Sequence, residues 1–199
     1  MNFDLRRSLR RIKPEQRTVG LTGRPDDALP FVSNNVSVGT ELLLDTCVYI
    51  DAIQDCIPAE VASLFAVRRL NHSGVALAEL THLLGRLDPK DGRTERAYNE
   101  ISGVISDIRM HRLSAPSLQT LGEAGILAGL AARLAGVESR RRQALLNDAM
   151  LYLQAGEQGQ TLLTRNIREF DWFDQLLPSG RVLFYRQPIS GRANSMPLE

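Results

Sequence analysis

Glu41-Leu-Leu-Leu-Asp-Thr-Cys-Val-Tyr-Ile50 is the stretch on which the reading of this chain turns. Leu42, Leu43 and Leu44 form an unbroken apolar run, which suits a short strand buried on both faces, as strands of parallel sheets are. Asp45 stands at the carboxyl end of that run, where open α/β sheets bind their ligands. A carboxylate there needs a reason, because burying an unpaired charge is expensive. Two reasons are open at this point. Asp is a favoured N-cap, and Val48-Tyr49-Ile50 suits the opening of a helix; alternatively Asp45 is a functional group.

Downstream of this stretch, apolar spacing predicts strands alternating with helices. Val61, Leu64, Phe65 and Leu70 recur at helical spacing after Pro58. Ser73-Gly-Val-Ala-Leu77 reads as a second strand running into a helix that Gly85 and Pro89 end. A polar helix from about Thr94 to Met110 carries Tyr98, Ile101, Ile105 and Ile108 on one face. Leu113 suits a very short strand, Ser117 caps the next helix and Gly136 stops it. A helix from about Glu138 to Glu157 follows, then a buried strand at Thr161–Thr164, a short helix at Ile167–Leu177 and a last strand at Val182–Tyr185. Such alternation predicts an α/β fold, a sandwich around a central, mostly parallel sheet.

Upstream, residues 1–40 read differently. They hold seven basic and four acidic residues, a net of +3 against +1 for the whole chain. Leu5, Leu9 and Ile12 suit a short amphipathic helix, but Pro14, Gly20, Gly23, Pro25 and Pro30 break regularity. The expectation is a basic extension of low order, dispensable for folding. Residues 41–188 form the domain, and residues 189–199 a disordered tail.

Composition excludes several classes. A hydrophobic fraction of 43% and a charged fraction of 24% are ordinary globular values. No apolar run approaches a membrane span, and the charged N-terminus lacks the apolar centre of a secretory signal. Cys47 and Cys56 match no zinc or redox spacing, and the three histidines are scattered. A cytoplasmic protein with reduced thiols is the expectation.

Two further acids join Asp45. Asp148 has Ala144, Leu145, Leu151 and Tyr152 at helical neighbour spacing, so it lies on an apolar face and needs a partner or a metal. Glu79 sits likewise among Val75, Ala76 and Leu83. Simpler roles exist: Glu79 as an early-turn acid complementing the helix dipole, and Asp148 paired with Arg165 or Arg141. Right-handed crossovers can bring all three to one edge of a parallel sheet, within reach of a single ion. Oxygen ligands without Cys or His suit Mg²⁺ or Mn²⁺, and such acids serve metal-assisted phosphodiester hydrolysis.

Leu42-Leu-Leu-Asp-Thr-Cys-Val-Tyr-Ile-Asp51, Val75-Ala-Leu-Ala-Glu-Leu80, Asn147-Asp-Ala-Met150 and Leu163-Thr-Arg-Asn-Ile-Arg-Glu-Phe170 resemble, in order, the successive motifs of PIN-domain ribonucleases. The resemblance is strongest to the VapC-type toxins of bacterial toxin–antitoxin pairs. It implies a PIN-like α/β/α sandwich, Mg²⁺- or Mn²⁺-dependent cleavage of RNA, a homodimer and a cognate antitoxin. By the same resemblance Asp45, Glu79 and Asp148 are the catalytic, metal-binding acids and Thr164 a small polar residue beside them. Arg165 and Arg168, close in sequence to that site, are the candidate RNA-binding residues. Two positions depart from the pattern: Asn166 stands where a fourth acid is common, and Cys47 where Asn or Ser is commoner. Asn166 leaves room for a catalytically weak module that binds RNA or a partner. A phosphatase or receiver domain using Asp45 as phospho-acceptor lacks the second acidic pair it needs near that residue.

Overall fold

A computed structural model describes residues 3–32, 39–178 and 181–188 of the chain. The expected tail at residues 189–199 lies outside them. Five short strands form one sheet: β1 (Leu42–Leu44), β2 (Leu70–Ser73), β3 (Leu113–Ser114), β4 (Thr161–Thr164) and β5 (Val182–Phe184). Their order is β3-β2-β1-β4-β5 and every pairing is parallel. Central β1 pairs Leu42 with Leu70 on one side, and Leu42, Leu43 and Leu44 with Thr161, Leu162 and Leu163 on the other. Its two neighbours lead in opposite directions along the sheet, so the carboxyl end of β1 is a topological switch point.

Among the described residues the α-helices are α1 (Leu5–Ile12), α2 (Thr46–Ile53), α3 (Ala59–Val67), α4 (Gly74–Arg86), α5 (Thr94–Asp107), α6 (Leu118–Ala135), α7 (Arg142–Glu157) and α8 (Ile167–Leu176). They cover both faces of the sheet. Leu43, Leu162 and Phe184 join a core with Leu127, Leu151 and Phe173 from α6, α7 and α8. Leu42, Leu44 and Leu163 point into a second core with Val48, Val61, Leu80 and Ile101 from α2 to α5. Successive strand residues alternate between faces, and with both faces packed, three leucines in a row are what β1 requires. Trp172 and Phe173 pack in the core, and no helix among the described residues is long and apolar enough to cross a membrane.

The second strand differs from its expected position. It runs Leu70–Ser73, and Gly74 already begins α4. Ser73 is the reason: its Oγ accepts from the Val75 N–H at 3.0 Å and caps the helix. Asn71 disguised the strand by interrupting its apolar pattern, yet it is 5% exposed and donates to Glu41 Oε2 at 2.9 Å. The polar helix is α5, ending at Asp107 rather than Met110, with Ala97 and Ile101 buried and Tyr98 exposed. The helix expected from Glu138 starts as one 3₁₀ turn at Ser139–Arg141 before α7.

The described part of the N-terminal segment corrects the expectation of low order. Asp4 caps α1, which packs on α6 with Ser8 and Ile12 fully buried. Arg11 Nη1 donates to the buried Glu123 at 2.5 Å, and Gln119 bridges Glu123 to Ser8. Further on, Arg24 donates from its backbone N–H at 2.8 Å and its Nε at 2.5 Å to Asp171, which is 1% exposed. Phe31 then bridges Phe184 in parallel, flanked by bonds from Val32 N to Phe184 O and from Phe184 N to Pro30 O, each 2.8 Å. The prolines and glycines that forbid regular structure are compatible with a strap laid over α6, α8 and the β5 edge. Two of its arginines compensate acids that the domain buries.

Candidate active site

Asp45 follows β1 directly and is 4% exposed. It sits at the N-cap position of α2, yet its side chain makes no capping bond. Instead Asp45 Oδ2 accepts from Thr164 Oγ1 at 2.6 Å and from Cys47 Sγ at 2.9 Å. Thr164 ends the adjacent β4, and its Oγ1 accepts in turn from the Asn166 N–H at 2.9 Å. Parallel pairing of β1 with β4 therefore aligns the two strand ends that hold this contact.

Glu79 lies in the second turn of α4, half-buried, between two neutral donors. Asn147 Nδ2 donates to Oε1 at 2.7 Å and the Thr46 hydroxyl to Oε2. Asp148, partly buried on α7, accepts from Asn166 Nδ2 at 3.1 Å. The arginines proposed as simple partners pair elsewhere: Arg165 with Asp51 and Arg141 with Glu169. Thr46, Asn147, Cys47 and Asn166 thus tie the strand ends to α4 and α7. The motif resemblance puts Thr164 and Asn166 beside the acids, whereas for Thr46 and Asn147 the signal in the sequence is their adjacency to Asp45 and Asp148.

The acids act on one another through their charges. Burial pushes the Asp45 carboxyl above its ordinary range; bonds from Cys47 and Thr164 oppose this, and the Glu79 charge adds to it. Burial likewise holds Asp148 well above its ordinary range, reinforced by Asp45, Glu79 and Glu169. Cys47 is pushed up by burial and then by Asp45, so its thiol stays protonated and serves Asp45 as a donor. His72 shares a hydrogen with Tyr49 across 2.7 Å and takes no part in the acid network.

Among the described residues, no group of three or more His, Cys, Asp or Glu side chains is arranged to hold a metal ion. The expected convergence within reach of a single ion is therefore not seen. Each of the three carboxylates takes amide, hydroxyl or thiol donors. In chemical type the set fits a hard divalent cation: three carboxylates, neutral partners, and mutual repulsion that a cation would relieve. Asp148 opens onto a cleft of about 580 Å³, lined also by Cys47, Arg141, Arg165, Asn166 and Arg168.

No protein-family model and no curated protein matches this chain. Solved structures do. DNA-bound VapBC from Salmonella typhimurium is similar with 24% identity and a TM-score of 0.50, over 72% of this chain and 97% of that one. VapBC2 from Rickettsia felis, bound to a DNA fragment from its promoter, gives 20% and 0.49 over 71% and 96%. FitAcB from Neisseria gonorrhoeae gives 19% and 0.49 over 72% and 96%. With a five-stranded parallel sheet between two helical layers and Asp45 at the carboxyl end of its central strand, the chain has the PIN-like α/β/α fold that its motifs resemble.

Proposed function

We propose that the protein is a divalent-metal-dependent ribonuclease, the toxin of a toxin–antitoxin pair, hydrolysing RNA phosphodiester bonds. The observation that carries this is the set of mutually repelling acids, Asp45, Glu79 and Asp148, linked through neutral donors beside a cleft rimmed by arginines. Structural acids are normally paired with a cation; among the described residues these three have neutral donors instead. The three would hold Mg²⁺ or Mn²⁺, which when bound supplies an activated water and stabilises the charge developing on the phosphate.

The chain's own residues have distinct tasks in this reading. Thr164 and Cys47 fix the Asp45 carboxylate by hydrogen bonds and do not compete for its charge. Asn147 and Thr46 orient Glu79. Asn166 donates to Asp148, adding no charge where a fourth acid would add one. Arg165 and Arg168 stand at the cleft to take phosphate oxygens. The likeness to VapBC supports a cognate antitoxin as partner, and a cytoplasmic homodimer belongs to the same reading.

A second reading, a catalytically weak module binding RNA or a partner, is favoured by one contact. The Asn166 amide presents its NH₂ rather than its oxygen to Asp148. One experiment separates the two: incubation of single-stranded RNA with the purified protein in Mg²⁺ or Mn²⁺, with and without EDTA, beside Asp148→Asn. Cleavage that EDTA abolishes and Asp148→Asn lowers by about 10²–10³ is expected. RNA binding without cleavage supports the module, and cleavage that survives both treatments refutes the metal mechanism.

A further inference from the structure

We propose that Asp51 is a positioning residue that sets the Arg165 guanidinium at the cleft to receive an RNA phosphate, an inference that rests on the ribonuclease reading. Asp51, on the last turn of α2, has no exposed surface. Its Oδ1 accepts from Arg165 Nε at 3.0 Å and from Gln187 Nε2 at 2.7 Å; its Oδ2 accepts from the Tyr185 hydroxyl at 2.6 Å. Arg165 Nε also lies 2.9 Å from Oδ2. Three segments, α2, the chain after β4 and the chain after β5, thereby meet on one buried carboxylate.

The way the guanidinium is held matters. Asp51 uses only Nε, and among the described residues no bond engages Nη1 or Nη2 of Arg165. Its side chain keeps 37% of its surface accessible, and it lines the cleft with Asp148. A tethered guanidinium with two unspent donors matches the fork that grips a phosphate, and little orientational freedom remains to be lost on binding. The other cleft arginines are differently employed. Arg168 directs Nε at 3.2 Å and Nη2 at 2.8 Å to Glu169 Oε1, and Arg141 sends Nη2 to the same oxygen at 3.0 Å. Of the three, Arg165 is the one whose terminal donors are both available.

Charge alone and positioning predict opposite signs, which makes the test sharp. Asp51→Asn removes a negative charge near the cleft, so general electrostatics would strengthen RNA binding. Loss of the tether weakens it. Binding of a short fluorescein-labelled single-stranded RNA to the full chain is read by anisotropy in EDTA, so that no metal-dependent turnover interferes. Asp51→Asn is expected to weaken binding by about tenfold, the order of one charge-assisted hydrogen bond. Arg165→Ala should weaken it similarly and lower the slope of log affinity against log salt by about 0.7. Asp51→Asn in the Arg165→Ala background should cost nothing further. Binding by Asp51→Asn as tight as the parent, or additive losses in the double variant, overturns the proposal while leaving parental cleavage, and with it the nuclease reading, intact. A parent that neither binds nor cleaves RNA overturns both. Should Asp51→Asn fail to fold, Arg165→Lys decides: affinity near that of Arg165→Ala supports a positioned fork, and affinity near the parent refutes it.

Discussion

Replacing Ile12 by Ala asks whether the N-terminal strap belongs to the folded domain. Ile12 has no exposed surface and joins the core formed by α6, α7 and α8. Truncating a fully buried Ile to Ala costs about 2–5 kcal/mol, part lost transfer energy and part cavity. α1 is a single short helix on α6 and can settle inward, which places the loss in the lower half of that range. At about 2–4 °C per kcal/mol for a chain of this size, the thermal midpoint should fall by about 4–14 °C. Leu9→Ala, on the same helix but 38% exposed, is the control and should cost less than about 1 kcal/mol. Circular dichroism melts of the three proteins in EDTA supply the measurement. If Ile12→Ala melts with Leu9→Ala, within about 2 °C of the parent, the segment is the solvated tail that its composition suggests, and the packing argument is wrong.

The pH dependence of stability tests the acids without any activity assay. Folding raises the carboxyl pKa of Asp45 and Asp148, so the folded state binds more protons than the unfolded one. Metal-free stability should therefore fall as pH rises from the unfolded value near about 4 through the raised folded values, by up to about 1.4 kcal/mol per pH unit for each proton. Asp148→Asn should flatten that descent and raise the urea midpoint at neutral pH; an unchanged slope would mean its charge is not strained. Mg²⁺ or Mn²⁺ should raise the parent's midpoint more than that of Asp148→Asn, and equal shifts would remove Asp148 from the ion's ligands. Asn166→Asp trades a donor for a fourth charge beside Asp148, so it should tighten divalent binding in calorimetric titration and lower the metal-free midpoint; weaker binding would refute the electrostatic account.

Local pattern was enough for much of the fold. Leu42-Leu43-Leu44 ending in Asp45 reads as a doubly buried strand with an acid at its carboxyl end, because strand periodicity and burial are written into neighbouring residues. Leu162, Leu163 and the apolar spacing of α6 and α7 are equally local. The same holds for the suspicion attached to Asp148, whose apolar helical neighbours make a carboxylate conspicuous. Position alone could nominate Asp45, Glu79 and Asp148.

What surrounds those acids depended on contacts between distant parts of the chain. Hydrogen bonds span 119 residues from Thr164 to Asp45, 68 from Asn147 to Glu79 and 114 from Arg165 to Asp51. No periodicity encodes which side chain will lie opposite after the sheet assembles. The N-terminal segment shows the same limit most clearly. Its arginines read as a basic, solvated run because the carboxylates they neutralise, Glu123 and Asp171, occur more than a hundred residues later. A charge looks free in sequence until folding brings its counter-ion, and only the tertiary structure decides which arginines are strapping the domain and which, like Arg165, are left with donors to offer.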